Sequence, residues 1–167
     1  MQVDGYKFLP RSFRSRFEVS PAPGDGDEVF APFGPRLAGA RVALLSSAGL
    51  YLKATQEPFD EAGEKANPLW GDPGWRAVPR ETAQGELGLM HLHINGADIL
   101  ADHEVALPLR ALDALVDAGV VGSSAPTHYS VMGYQEEGLR AWRDETAPAI
   151  VESLRDERVD GLILAPA

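Results

Sequence analysis

Two apolar runs, Ala40–Ser46 and Val159–Ala165, most limit the folds open to this chain. Each has the length of one β-strand, and runs of this kind are typical of parallel strands that are covered on both faces. A third strand is predicted at Leu89–Ile94, and amphipathic helices are predicted over Pro108–Ala118 and from about Glu136 to Glu157. Strands separated by helical segments indicate an α/β fold, with a parallel sheet and crossover helices of the flavodoxin or Rossmann type.

Both predicted helices have one apolar face. In the first helix this face consists of Leu109, Leu112, Leu115 and Val116, and Gly119 is placed to end the helix. In the second helix the inward residues are Leu139, Trp142, Ile150, Val151 and Leu154. Pro148 predicts either a kink in this helix or the first turn of a new one.

The first 38 residues differ in composition from the remainder. They contain five prolines and no sustained helical period, and their phenylalanines are Phe8, Phe13, Phe17, Phe30 and Phe33. This pattern predicts an extended N-terminal arm over residues 1–38 that docks its aromatic side chains on an α/β domain formed by residues 39–167. The prediction is therefore a single domain with an arm.

The charge balance limits the possible partners. Fifteen basic and 25 acidic residues give a net charge of −10, which argues against nucleic-acid binding because that function needs a basic surface. No apolar run has the length of a membrane helix, and the N-terminus lacks a signal pattern, so a cytoplasmic location is expected. The chain has no cysteine, which excludes a disulfide framework, a cysteine zinc site and thiol catalysis by these 167 residues themselves.

His91 and His93 alternate along the predicted third strand, so their side chains are expected on one face, with Asn95 close behind. Two histidines at this spacing are weak candidate ligands for zinc or iron. The same pattern fits histidines that form hydrogen bonds in the structure, or histidines that contact a substrate.

Two further groups of polar residues are candidates. His128 and Tyr129 fall on a predicted loop, where a histidine is a candidate general acid, although no serine nucleophile elbow accompanies it. Asp72 and Arg76 lie in a turn rich in Gly and Pro, where they either hold a zwitterionic substrate or pair with each other and fix the loop. No phosphate-binding glycine motif is present, so a nucleotide cofactor has no support.

Several segments in order along nearly the whole chain carry a family resemblance. They are Arg41–Leu52, Gly71–Arg76, His91–Asn95, Gly119–Gly122, Pro126–Tyr129 and Val159–Leu164. The series resembles the selenoprotein B family of glycine, sarcosine, betaine and D-proline reductases. The resemblance implies reductive C–N cleavage of a small amino-acid-like substrate, a thiol/disulfide couple and other reductase subunits as partners.

In that family a selenocysteine or cysteine follows the strand that matches Val159–Ala165. The resemblance therefore implies that the catalytic residue comes directly after Ala167, and that a UGA codon has been read as a stop. The alternative is a true short homologue or a fragment with another origin. If the catalytic residue does follow Ala167, His91, His93 and His128 would support the site, provided that their loops gather at the same edge of the sheet.

Two other functions stay open. One is a non-catalytic binding or assembly protein that keeps the family fold, and the other is a metal site built on His91 and His93. The sequence leaves open the identity of the substrate, the partner subunits and the oligomeric state.

Overall fold

The computed structural model describes residues 32–67, 69–133 and 139–167. Within these residues the strands are β1 (Arg41–Ser46), β2 (Leu50–Leu52), β3 (Trp75–Pro79), β4 (Leu87–Leu89), β5 (Ser123–Ser124), β6 (Thr127–Val131) and β7 (Gly161–Ala165). The α-helices are α1 (Glu61–Ala66), α2 (Ala97–Ala101), α3 (Leu109–Asp117), α4 (Leu139–Ala141) and α5 (Ala147–Asp156). Short 3-10 helices cover Leu37–Gly39, Gln84–Glu86 and His103–Val105. The predicted α/β class is confirmed.

The central strand of the main sheet is β1. On one side it pairs in parallel with β7, from Val42 opposite Gly161 to Ser46 opposite Ala165. On its other side it pairs in parallel first with β5 and then with β6. The sheet is mixed, because β3 pairs antiparallel with β6, and β2 and β4 form a separate antiparallel pair.

Alternate residues of β1 enter two apolar clusters, as the period of a strand dictates. Val42 and Leu44 pack with residues of α3, whereas Ala43 and Leu45 pack with Tyr129 and with Ile150 of α5. Both faces of β1 are therefore covered, which explains why its sequence is a continuous apolar run.

Both predicted helical regions are present, with a π-helical turn added in the second, whereas the short helices α1 and α2 were not predicted. α3 ends before Gly119, whose φ of +70° is the left-handed conformation expected for a glycine C-terminal stop. The second helical region begins at Leu139 after residues that are not described, and a π-helical turn, Trp142–Thr146, joins α4 to α5. Pro148 explains this turn, because it lacks an N–H and its ring collides with the carbonyl four residues earlier in a regular helix. The wider turn lets the Ala147 N–H bond the Trp142 carbonyl instead.

Two predictions about local structure were wrong. The strand predicted over Leu89–Ile94 ends at Leu89, and His91 to Ile94 lie in a turn and bend that lead into α2. Its partner β2 is only three residues long, so the ladder between β2 and β4 stops there. Conversely, His128 and Tyr129 do not lie on a loop, because Thr127–Val131 is a buried strand of the main sheet.

Residues 1–31 are outside the described part of the chain, so the extended arm predicted over residues 1–38 stays a prediction. Residues Phe33–Ala167 cluster as one compact unit. Among the described residues, none of the helices has the length and apolar character needed to cross a bilayer.

Candidate functional site

The carboxyl ends of β1, β6 and β7 are tied together by hydrogen bonds. The Ser47 N–H donates to the Ala165 carbonyl at 3.2 Å, and the Gly49 N–H donates to the Val131 carbonyl at 3.0 Å. The Ala167 N–H donates to Ser47 Oγ at 2.9 Å. In open α/β sheets this edge is where ligands bind, so the residues around Ser47 form the first candidate region.

Gly49 brings the histidine-bearing segment to this edge. Its φ is +70°, and a Cβ at this position would collide with the Met90 carbonyl oxygen and with the Met132 sulfur. The Met90 N–H donates to the Gly49 carbonyl at 3.0 Å. The absence of a side chain at Gly49 thus allows Met90, and His91 after it, to lie against the turn that follows β1.

An apolar cavity opens beside the same edge, between β7 and the α4–α5 region. Its volume is about 560 Å³, and its walls include Leu45, Met132, Trp142, Ile150, Leu162 and Leu164. The indole Nε1 of Trp142 is buried and has no hydrogen-bond partner among the described residues. A zwitterionic amino acid would lose the hydration of both charges in such a cavity, so its walls suit apolar side chains rather than charged groups.

His91 and His93 lie close together across a turn rather than along a strand. The His93 N–H donates to Nδ1 of His91 at 3.2 Å, and the two ring centroids are 5.9 Å apart in an edge-on arrangement. Burial and, to a lesser extent, the charge of His93 lower the pKa of His91. Because Nδ1 accepts a hydrogen bond, the neutral ring carries its proton on Nε2, and this N–H is a donor beside the sheet edge.

Glu64 is a residue of this region that the sequence did not single out. Its side chain is buried, and Oε1 accepts the Asp72 N–H at 3.2 Å. Burial raises its pKa, whereas the bond from Asp72 and the positive charge of His93 act in the opposite direction. Helix α1 is only six residues long, so it has no apolar period from which the burial of Glu64 could be predicted.

Asp72 and Arg76 hold the loop before β3. The Asp72 carboxylate accepts the Gly74 N–H at 2.7 Å and the Asp60 N–H at 2.9 Å. The Arg76 guanidinium donates to two carbonyl oxygens of the preceding loop and lies 4.2 Å from the centre of the Phe59 ring. Arg76 Nη2 is 3.9 Å from the Asp72 carboxylate. Through these contacts the two residues hold the loop, and a role in binding a zwitterionic substrate stays a prediction.

His128 is fully buried in the sheet, away from the surface. Its Nδ1 accepts the Leu44 N–H at 3.0 Å, and its Nε2 is 3.2 Å from Ser124 Oγ. Burial lowers the pKa of His128 to about 4. The neutral ring therefore carries its proton on Nε2 and donates to Ser124, so it is in the wrong tautomer to remove the Ser124 proton.

The remaining predicted site residues are engaged locally. The Tyr129 hydroxyl donates to Ser153 Oγ at 2.9 Å inside the second apolar cluster, and burial raises its pKa. The exposed Asn95 accepts the Ala97 N–H through Oδ1 at the start of α2. Within the described ranges, no three histidine or acidic side chains are grouped so as to hold a metal ion, so His91 and His93 gain no third ligand there.

One comparison with known proteins bears on this arrangement. The chain is 26% identical over 136 residues to D-proline reductase subunit gamma of Acetoanaerobium sticklandii, a match that covers 81% of this chain and 52% of the relative. The chain is a distant relative of a D-proline reductase subunit. It spans about half the length of the curated relative that it matches. No protein-family model and no solved structure match it.

This relation confirms the resemblance only as a distant relation to the reductase family. Membership of the selenoprotein B family stays a prediction, as do a role in glycine reduction and the position of the redox residue. The relative is named as a subunit, and protein partners of this chain stay an expectation.

Proposed function

We propose that the chain is the substrate-handling part of an amino-acid reductase of the D-proline reductase type. The observation that carries the proposal is the match to D-proline reductase subunit gamma over 81% of the chain. The convergence of the carboxyl ends of β1, β6 and β7 supports it, because this edge is the usual ligand site of an α/β sheet.

The reaction proposed is reductive cleavage of one C–N bond in a small amino-acid substrate. The carbon and the nitrogen each gain a hydrogen, and the two electrons and two protons come from a selenol–thiol or dithiol pair that becomes an oxidised Se–S or S–S bond. The chain contains no cysteine, so the selenocysteine or cysteine must lie outside these 167 residues. We propose that it comes directly after Ala167; the hydrogen bond from the Ala167 N–H to Ser47 Oγ at the carboxyl edge supports this position.

The chain's own residues then bind and orient the substrate. His91 is neutral near pH 7 because burial lowers its pKa, so its Nε2–H donates a hydrogen bond to the substrate carboxylate. Glu64, held by the Asp72 amide, interacts electrostatically with His93 and fixes the charge pattern around this turn. His128 and Tyr129 maintain the sheet that carries these loops and do not contact substrate in this proposal.

Genomic sequence and an activity assay test the proposal together. A UGA codon after Ala167, followed by an open frame that encodes a nearby cysteine, is the expected result, and a UAA or UAG codon would contradict it. The longer product, made with selenocysteine or cysteine at that codon, is expected to oxidise a dithiol in a D-proline-dependent manner. The 167-residue product is the control and should show no turnover; equal activity of the two would reject the proposed position of the redox residue.

A second candidate is a non-catalytic assembly protein. The observation in its favour is the exposed apolar surface of β7 and the adjoining cavity, which suit a protein partner better than a charged small molecule. A longer product that folds but neither binds D-proline nor oxidises a dithiol would favour this candidate.

A further inference from the structure

Asn95 is the one asparagine of this chain that a glycine follows. The chain has two asparagines, and Asn95 precedes Gly96 whereas Asn67 precedes Pro68. An asparagine side chain can lose its amide group when the backbone nitrogen of the next residue attacks its carbon Cγ. A glycine nitrogen can make this attack because it carries a hydrogen and has no Cβ beside it, whereas a proline nitrogen is fully substituted. The reactive neighbour is therefore present at Asn95 and missing at Asn67.

The packing of the protein favours a glycine next to Asn95. A Cβ at Gly96 would collide with Cδ2 of Leu89, the last residue of β4. Leu89 is half-buried and packs against the apolar cluster that contains Val42 and Leu44. A larger residue at position 96 would therefore displace a side chain that belongs to the edge of this core.

The local hydrogen bonding prepares the Asn95 side chain for the attack. Oδ1 of the exposed Asn95 accepts the Ala97 N–H at 3.2 Å, so one hydrogen-bonded ring contains both the Asn95 Cγ and the Gly96 nitrogen. The Ala97 N–H is also placed to stabilise the negative charge that develops on Oδ1 when a nucleophile adds to Cγ. Within the described ranges no hydrogen bond engages the Gly96 N–H, so this nitrogen can lose its proton to solvent.

Asn67 provides a comparison within the same chain. Its Oδ1 accepts the Leu69 N–H at 3.1 Å, which is the same type of bond as that between Asn95 and Ala97. The two asparagines thus share this bond and differ in the residue whose nitrogen would attack.

We propose that Asn95 is a site of deamidation in the folded protein, with the Gly96 nitrogen as the nucleophile. This nitrogen loses its proton and bonds to Cγ, the bond from Cγ to Nδ2 breaks, and Nδ2 leaves as ammonia with that proton. One water molecule then opens the cyclic imide. Cleavage of the new bond to Cγ gives aspartate, and cleavage of the original peptide bond gives isoaspartate.

Isoaspartate at position 95 would alter the turn that contains His91 and His93. This segment is anchored on both sides, because the Met90 N–H binds the Gly49 carbonyl and Ile99 is buried in the core. Isoaspartate directs the main chain through Cγ and so adds one carbon between the two anchors. We therefore expect the histidine turn to rearrange in the isoaspartate form. The modification itself does not depend on the proposed reductase activity.

Peptide mapping by mass spectrometry tests the site in the full chain. The folded protein is incubated at mildly alkaline pH in water labelled with heavy oxygen, and a urea-unfolded sample sets the time needed for complete conversion. The tryptic peptide of residues 81–110 is expected to exchange its amide for one labelled oxygen, and the peptide of residues 66–76 should keep its amide. A folded chain that keeps the Asn95 amide over this time would overturn the proposal, as would equal conversion of the two peptides.

Two variants test the nucleophile. Gly96→Ala places a Cβ beside the nitrogen and is expected to slow conversion several-fold or more, and the parent rate in this variant would overturn the role of Gly96. Asn95→Gln should abolish conversion of residues 81–110, because a glutamine must close a larger ring. It keeps the glycine at position 96 and its contact with Leu89. Label uptake at the same rate in Asn95→Gln would place the reaction elsewhere and overturn the assignment.

The NMR signals of the histidine rings test the structural consequence. In the purified isoaspartate form the signals of His91 and His93 are expected to shift, whereas that of the buried His128 should stay in place. Unchanged signals of all three rings would overturn the expected rearrangement of the turn.

Discussion

The imidazole of His128 completes the hydrogen bonding of the central strand. β5 ends at Ser124 and β6 begins at Thr127, so the ladder beside β1 is interrupted at Ala125 and Pro126. The Leu44 N–H faces this interruption and is satisfied by His128 Nδ1. The residue that looked like a general acid in the sequence therefore has a structural role, which follows from the need to pair every buried amide.

Replacing His128 should reduce stability more than function. His128→Ala leaves the Leu44 amide without an acceptor and opens a cavity, so we expect a loss of about 2–4 kcal/mol in the free energy of unfolding. His128→Asn is the matched control, because an amide oxygen near the position of Nδ1 should recover part of this loss. Urea unfolding of the three proteins measures the effect, and an alanine variant as stable as the parent would contradict the assigned role.

The lowered pKa of His128 also predicts how stability depends on pH. The folded protein holds this ring neutral down to a pKa of about 4, whereas the unfolded chain binds a proton near pH 6.5. The resulting contribution is fully present above pH 6.5 and is lost as pH falls from there toward 4; it amounts to about 3 kcal/mol. Unfolding curves between pH 4 and 7 should show a smaller slope for His128→Asn than for the parent, and equal slopes would refute the assignment.

The raised pKa of Glu64 predicts the opposite dependence of stability on pH. Its folded pKa is raised, chiefly by burial, so ionisation of this carboxyl costs stability as pH rises through its ordinary value and above. Glu64→Gln keeps an acceptor for the Asp72 amide and removes the charge, so the variant should be at least as stable as the parent at pH 7 and gain relative to it between pH 4 and 7. Glu64→Ala, which removes the acceptor, should be less stable. Denaturation at the two pH values separates these outcomes, and a destabilised glutamine variant at pH 7 would show that the ionised carboxylate is favoured.

At the level of elements, the sequence predicted those whose patterns are long and uniform. β1, β7 and α3 carry continuous or periodic apolar residues, and all three were placed within two residues of their observed bounds. The errors came from short polar segments. The sequence of Thr127–Val131 was predicted to be a loop because His, Tyr and Ser interrupt its apolar character. In the structure it is a buried strand, whose side chains accept hydrogen bonds from the Leu44 and Leu50 N–H groups.

The candidate site was harder to predict than the fold for the same reason. His91 and His93 were expected to share a strand face, but a turn brings them together, and their neighbour Glu64 comes from a helix that is distant in sequence. Such groupings depend on how loops pack against each other. Loop packing leaves no periodic pattern of apolar residues in the sequence, so it cannot be predicted from a single sequence. The turn after β1 differs from these loops, because its geometry depends on a single residue, the glycine at position 49.

Gly49→Ala tests how far that turn depends on glycine. The substitution requires a left-handed φ of +70° and forces a methyl group into the Met90 carbonyl, so we expect a loss of about 2–4 kcal/mol in unfolding free energy. Gly85→Ala is the matched control, because a Cβ there meets nothing within 4 Å, and its effect should stay within about 1 kcal/mol. Thermal and urea unfolding measure both, and equal stabilities of the two variants would contradict this view of the turn.

In the described part of the molecule, the features that suit ligand or partner binding lie around β7 and the carboxyl ends of β1 and β6. The strand ends that meet at Ser47, the cavity beside Trp142 and the exposed side chains of β7 are all within this region, whereas α3 and its cluster on the other face form an ordinary core. A function that uses the carboxyl edge should therefore be sensitive to small changes there that leave the core intact.

If the proposed function holds, Gly133 allows this sensitivity to be measured in the longer product proposed above. A Cβ at Gly133 would lie 3.1 Å from Cβ and from Oγ of Ser47, so Gly133→Ala presses on the turn that binds Ala167. We expect kcat/KM for D-proline to fall about tenfold or more, since small displacements at a reaction site cost rate, while the melting temperature changes little. Gly39→Ala is the matched control, because nothing lies within 4 Å of its Cβ and it should keep full activity. Undiminished turnover in Gly133→Ala would show that the chemistry takes place away from this edge.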